Sequence, residues 1–453
     1  MKAAKSSTAD SDSNNASSGG LAYRLYDLAT GDDDARLCRD IPDDQCREQP
    51  RSFVCQVLSQ AFSKTGDALA DSKVVLPWLL GSVGAPGFMV GLLVPIRESL
   101  ALLPQVLIGG VIRRFPVRKG FWVASSVVEG LCVILMGIVG AMGLQGAAAG
   151  WTIVGLLVLF SLARGIASIA AKDTLGKTVS KGRRGRVSGY AATASGLIAV
   201  AVGSYLALSP EQARPDWLLY VIIAGAGISW LLAAAFFSII KEHPGATDGG
   251  RSVHDLVKEQ VMLLVEVREL QKFVAARALM VSTALIGPVY VSLAQRETGP
   301  GLDSLGWLIV ASGLASTLSS SFWGALSDKS SRFTMAAAAI MAGVLGVVVV
   351  SILNLAPGVT DNIAFYAVIL FILGIAHSGV RIGRKTHVVD LASGDRKAEY
   401  VALSNTIIGV LLVVMGALTS AVLGLGLEVG IVVLSILAIM GAIVAITMEH
   451  VQG

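Results

Sequence analysis

Charge is scarce in this chain. Asp, Glu, Lys and Arg make up 15% of 453 residues, against 54% apolar residues and a mean hydropathy of +0.69. That balance excludes a disordered protein and an ordinary soluble domain, and fits a chain that crosses a bilayer many times. Cysteine is scarcer still. Cys132 lies in an apolar window, and Cys38, Cys46 and Cys55 lie in a polar arm with C-x7-C-x8-C spacing and no histidine nearby. That is neither a disulfide framework nor a compact zinc spacing. The five histidines are scattered, and no His/Cys/Asp/Glu set has catalytic-metal spacing, so no metal site is expected. The segment AAKDTLGKT (170–178) ends in Gly-Lys-Thr, but Ala171 stands where a phosphate-binding loop needs its first glycine. No enzyme is expected. The first twenty residues are Ser/Asn/Asp/Ala/Gly-rich and lack an apolar core, so a cleaved signal peptide is not expected either. A net charge of +4 is too small to argue for a nucleic-acid partner.

What is present is organised around one stretch, Gly87–Arg114, an apolar run with Arg97 and Glu98 set in its middle. About 20 apolar residues span a bilayer, and a central charge costs roughly 2.5–3.5 kcal/mol on insertion scales. Two such charges in one span face a partner or a wet cavity, or else satisfy each other as a structural pair. Similar apolar windows recur at 62–83, 87–112, 120–143, 150–175, 187–208, 216–239, 272–295, 303–326, 333–355, 362–387, 399–424 and 427–448, twelve in all. The expected organisation is an acidic arm over 1–58, disordered at its start, with Arg51–Phe62 as an interfacial helix. A six-helix bundle follows over 59–240, then a linker over 241–271 and a second bundle over 272–453. In the linker, Val253, Leu256, Val257, Val261, Leu264 and Val267 share one face of an amphipathic helix.

Lys and Arg set the orientation. With the N-terminus inside, the inner loops hold Arg113, Arg114, Arg118, Lys119, Lys177, Lys181, Arg183, Arg184, Arg186 and most later cations, while the outer loops hold Arg214 and Arg296. Both termini are therefore expected in the cytoplasm, the chain being a multi-pass protein of the inner or plasma membrane.

The two halves repeat at an offset of about 212: Pro77 matches Pro288, Gly110, Arg114 and Arg118 match Gly324, Asp328 and Arg332, and Thr174 and Gly182 match Thr386 and Gly394. Two similar six-span halves joined by an inner linker are the plan of many secondary transporters. At Gly324–Arg332, GALSDKSSR, the sequence resembles the signature between spans two and three of the major facilitator superfamily. In this chain the copy after span eight is the better one, and the first copy has Arg114 in place of the signature's Asp. The resemblance implies an all-α fold of twelve transmembrane helices in two pseudo-symmetric halves. It also implies an inner-gate role for Gly110, Arg114, Arg118, Gly324, Asp328 and Arg332, latching the halves when the cavity opens outward. The alternative for the cations is anchoring at the inner surface. The superfamily's drug/proton antiporters carry a Gly-Pro signature in span five, and 187–208 holds no proline.

Charges inside the spans are the candidate site. Asp67 and Asp71 lie four apart in span one, unless that span starts later and leaves them wet. Lys73 sits about 200° from Asp71 around an ideal helix, with Pro77 available to bend it. Glu98 is the first choice for a proton carrier, with Asp71 and Glu129 behind it; Glu129 alternatively serves only as an interhelical hydrogen-bonding group. Arg164 lies mid-span in the fourth window. In the tenth, His377, Arg381 and Lys385 follow at i, i+4 and i+8, with Arg384 beside them and Arg384, Lys385 and His387 expected near the inner surface. Arginine suits bidentate capture of carboxylate or phosphate. Lys73, Arg97, Arg164, His377 and Arg381 are thus expected to bind a small anionic or zwitterionic solute from both walls of one cavity. The expected activity is secondary active transport by alternating access, driven by a proton or Na⁺ gradient with no other cofactor. The alternatives are efflux of amphipathic compounds, or a non-transporting scaffold or sensor whose arm holds a cytoplasmic partner.

Overall fold

In hydrocarbon, unpaired backbone N–H and C=O groups are too costly to leave, so long apolar segments fold as helices. The computed structural model follows that rule. It describes residues 24–26, 28, 43–112, 114–245, 247, 258, 262–391 and 397–452, and among them forms no strand. The first half comprises α1 (Asp43–Leu69), α2 (Val75–Ser82), α3 (Val90–Ile112), α4 (Lys119–Ala141), α5 (Gly146–Thr178), α6 (Lys181–Leu208) and α7 (Trp217–Ser238). The second comprises α8 (Arg268–Met280), α9 (Ser282–Thr298), α10 (Leu302–Lys329), α11 (Ser331–Leu355), α12 (Ile363–Leu391), α13 (Lys397–Leu423) and α14 (Leu427–Ile446). Among the described residues, ten helices are long and apolar enough to cross a membrane, α8 and α9 counting as one. The expected first span is divided between α1 and α2, and the expected second span is α3, which carries Arg97 and Glu98.

The halves begin alike. The first span breaks at 70–74 before Pro77, and the seventh changes helix at Val281 before Pro288. Asp71 Oδ1 stabilises the first break by accepting from the backbone N–H groups of Lys73 (2.7 Å) and Val74 (3.1 Å), which α2 leaves without intrahelical partners. α1 starts at Asp43, well before the expected start of its span, so the end of the arm is continuous with the bundle. Tyr26 of the arm is buried against Phe53 and Arg183, and its hydroxyl accepts from Gln49, whose carbonyl accepts from Ser180 N. Of the linker's expected amphipathic face, Val253, Leu256, Val257 and Val261 lie outside the described residues. Leu264 falls in a helical stretch over 262–266 and packs, with Val267, against the second half.

We call the end where α1 starts and α14 finishes the terminal end, and the opposite one the far end. Across the interface α3 packs on α13 and α6 on α10. Gly203 and Gly306 let α6 and α10 meet backbone to backbone, since a Cβ on Gly306 would sit 2.6 Å from the Gly203 carbonyl. At the far end the halves are tied together. Gln295 donates to the Trp78 carbonyl (3.1 Å) and the Ser82 hydroxyl (3.2 Å), Ser420 donates to the Phe88 carbonyl (2.7 Å), and Arg214 pairs with Asp303 (3.1 Å).

Candidate functional site

The intramembrane charges separate into two groups. In the first half, Asp67 on α1 accepts from Arg97 on α3 at 2.5 Å and from Arg164 on α5. Arg164 also reaches Ser63 (3.2 Å) and Glu129 on α4 (3.3 Å), while the Arg97 guanidinium stacks over Phe160 at 4.7 Å. Glu129 is fully buried, and its Oε1 has no partner among the described residues. Two carboxylates and two guanidiniums from four helices thus close one network with no formal net charge. Such balance is what a low-dielectric setting demands, because a buried charge without its partner is far costlier than the pair.

The second group is unbalanced. A cavity of about 250 Å³ between the halves is lined by Lys73, Arg277, Arg381, Arg384 and Lys385, with His377 and Asn405 among them and, among the described residues, Glu98 as its one carboxylate. Glu98 stands within electrostatic reach of Arg277 and Arg384. Arg277, only 8% exposed, is aimed by α13: it donates to the Ser404 hydroxyl at 2.5 Å and to Asn405 Oδ1 at 3.0 Å. Lys73 Nζ meets His377 Nε2 at 3.1 Å across the interface, and the other ring nitrogen of His377 meets the Thr283 hydroxyl at 3.2 Å. A second cavity, of about 160 Å³, shares Lys73, His377 and Arg381 and adds Asp71, Ser312, Ser316 and Ser378.

These positions revise several expectations. Arg97 and Arg164 line neither cavity; carboxylates of their own half hold them, so Arg164 does not face Arg381 across a shared site. Asp71 lines the second cavity, but one of its oxygens is engaged as the cap at the helix break. Arg384 and Lys385 line the first cavity rather than acting as surface anchors. His387 is fully buried, stacked on Phe273 at 5.4 Å and 2.9 Å from the Ser331 hydroxyl. Two functional candidates escape the sequence reading. Asp67 is placed there beside Asp71 on one face of span one, or else wet, with no role assigned, and Arg277 carries the signal applied to Arg164, a lone arginine in an apolar window.

The gate-motif residues stay within their own halves. Arg118 pairs with Asp173, and its backbone N–H donates to Glu242 at 2.9 Å. Lys177 bridges Asp173 (2.6 Å) and Glu242 (2.9 Å). Arg332 donates to the Met448 carbonyl at 2.6 Å. Gly324 faces open space and Arg114 is exposed. Asp328 shows no partner among the described residues. Gly110 lies in α3, and Arg113 lies outside the described residues. The partners described for Arg118 and Arg332 thus lie in the first half and its following linker and in the second half, respectively.

Sequence comparison identifies the second half: residues 272–451 match the model of the Major Facilitator Superfamily. Residues 272–451 therefore resemble that superfamily in sequence. No curated protein matches it in sequence. Among solved structures, the fold is similar to a point mutant of the nucleoside transporter NupG at a TM-score of 0.63 and 10% identity, covering 87% of this chain and 99% of that one. It is similar to the inward-open xylose transporter XylE from E. coli at 0.60 and 12%, covering 87% and 95%. A POT family transporter in complex with a thioalcohol-conjugated peptide gives 0.62 and 10%, covering 91% and 98%. At these identities the likeness concerns the fold of both halves.

Proposed function

We propose that this protein is a secondary active transporter that moves a small organic anion by alternating access, coupled to protons. The observation that carries the reading is the interfacial cavity with five cationic side chains and one carboxylate. Arginine cannot shed its charge within the physiological range. An anionic solute is therefore what lets such a cavity close without a large desolvation penalty. The same charge disfavours amphipathic cations as cargo. The far-end ties and the cavity on their terminal side fit one state of a two-state cycle, and the loop cations favour a cytoplasmic terminal end.

For coupling, the balanced network supplies a proton site separate from the cargo. Asp67 and Glu129 share Arg164. A proton on Glu129 leaves Arg164 wholly to Asp67, and that change in sharing shifts α1 against α4 and α5. Glu98 is the carboxylate by which cargo and cavity charge communicate.

Thermal stabilisation by carboxylates and phosphates tests the anion reading, since a ligand that binds only the folded state raises the melting temperature. Anions should stabilise the purified protein, and Arg277→Ala or Arg277→Lys should weaken that binding by roughly tenfold or more, because lysine cannot reproduce the fork held by Ser404 and Asn405. Stabilisation by apolar cations alone would count for efflux instead.

A further inference from the structure

The second cavity gives the cargo a second chemical feature. It lies directly against the first, with Lys73, Thr283, Ala284, His377 and Arg381 lining both. Beyond that shared rim, its polar wall is Ser312 and Ser316 on α10, Ser378 on α12 and Asp71, one of whose oxygens caps the helix break, and the rest is Val74, Leu370, Leu373 and two glycines. Helical serines commonly return their hydroxyl to the carbonyl four residues back, as Ser161, Ser229 and Ser435 do here. Among the described residues, the hydroxyls of Ser312, Ser316 and Ser378 have no partner. They are not sealed in the core either, so three hydrogen-bonding groups face the cavity unused. Along α12, Ser378, Arg381 and Arg384 follow at three-residue intervals, about 4.5 Å of rise each. A solute lying along this helix meets a hydroxyl first and then two guanidiniums.

Resting on the anion-transport reading, we propose that the cargo is a hydroxylated organic anion, of the sugar-acid or sugar-phosphate type. Its anionic group sits among Arg277, Arg381 and Arg384. Its hydroxyl-bearing body passes Lys73 and His377 to meet Ser312, Ser316 and Ser378, and its C–H faces lie on Leu370 and Leu373. Sites built to hydrogen-bond a substrate hydroxyl reject the analogue that lacks it. A purely apolar carboxylate therefore leaves the serines unpaired and binds less well.

The test is calorimetric titration of the detergent-purified full-length chain with gluconate, with hexanoate as its six-carbon counterpart without hydroxyls, and with inorganic phosphate. Wild type should bind gluconate at least about tenfold tighter than hexanoate. In the Ser312→Ala, Ser316→Ala, Ser378→Ala triple variant the ratio should fall to within about threefold, while phosphate affinity stays within about twofold. Equal binding of gluconate and hexanoate by wild type, or a preference that survives in the triple variant, overturns the hydroxyl assignment and leaves the anion site standing. Failure of all three ligands to bind overturns the anion reading itself. If the triple variant lacks a melting transition, Ser378→Ala alone is read; an undiminished ratio there counts against the proposal.

Discussion

Asp67 holds two arginines from two other helices, which makes it the residue on which the first half's charge balance turns. Asp67→Asn leaves Arg97 and Arg164 with Glu129 as the remaining carboxylate of the network. Asp67 is 24% exposed, so breaking these pairs should cost less than the roughly 3–5 kcal/mol of a fully buried pair. The expected outcome is a clearly lowered melting temperature in detergent. Glu129→Gln retains the hydrogen-bonding shape and should cost less stability. It should also uncouple the carrier: uptake into proteoliposomes driven by a pH gradient is lost, while exchange of labelled for unlabelled solute continues. Uptake that still follows the pH gradient in Glu129→Gln would remove this residue from the proton path. At this scale the sequence shows which residues are charged within a span but not whom they face. Arg164 and Arg277 look alike there, each a lone arginine among apolar residues. Only the packing of α1 and α4 around one and of α13 around the other separates a structural cation from a cargo-facing one.

At the scale of elements, the first span of each half is the part that is not a plain rod. Pro77 and Pro288 mark both bends in the sequence, since a proline removes a helical hydrogen bond. Their match at the repeat offset is legible without coordinates. The break at 70–74 is not, because it depends on one oxygen of Asp71, a residue that also lines the second cavity, accepting from the backbone N–H groups of Lys73 and Val74. Loss of a side-chain cap costs about 1 kcal/mol. Asp71→Ala should therefore lower stability by about that amount, whereas Asp71→Asn, which keeps the accepting oxygen, should retain stability and pH-driven uptake. Loss of pH-driven uptake in Asp71→Asn would mean that this carboxyl carries a proton after all. Most helix limits fall within a few residues of their apolar windows, because hydrophobic length is what the bilayer selects. α1 extends well beyond its window, because Phe53 is buried and Gln49 ties Tyr26 to Ser180.

At the scale of the whole molecule, the halves are joined at the far end and the charged cavity lies on the terminal side of that join. Alternating access requires the ties of Gln295 to Trp78 and Ser82 to open in each cycle. Ser82 and Gln295, each replaced by cysteine and bridged by a short bis-methanethiosulfonate reagent, which forms a disulfide at each end with loss of sulfinate, should hold the far end shut. Transport should stop, whereas solute binding from the terminal side should persist. Transport that continues in the bridged protein would show that the far end is not a gate. The two-half plan and the loop asymmetry are readable because they repeat over long stretches; the pairing of α3 with α13 and α6 with α10 is not, since it is written in small residues such as Gly203 and Gly306 whose partners lie in the other half.

On the proposed anion-transport reading, the surplus of fixed cations in the cavity also bears on how such a carrier answers to voltage. With anion bound, much of that surplus is masked when the halves rock; with the cavity vacant, it travels bare. Each elementary charge carried across the full field of a 100 mV membrane is worth about 2.3 kcal/mol. The potential therefore acts chiefly on the empty return rather than on the loaded step. Capacitive currents recorded from proteoliposomes on a solid-supported membrane should be larger without solute than at saturating anion, and the reverse order would mean that the cavity's charge does not move through the field.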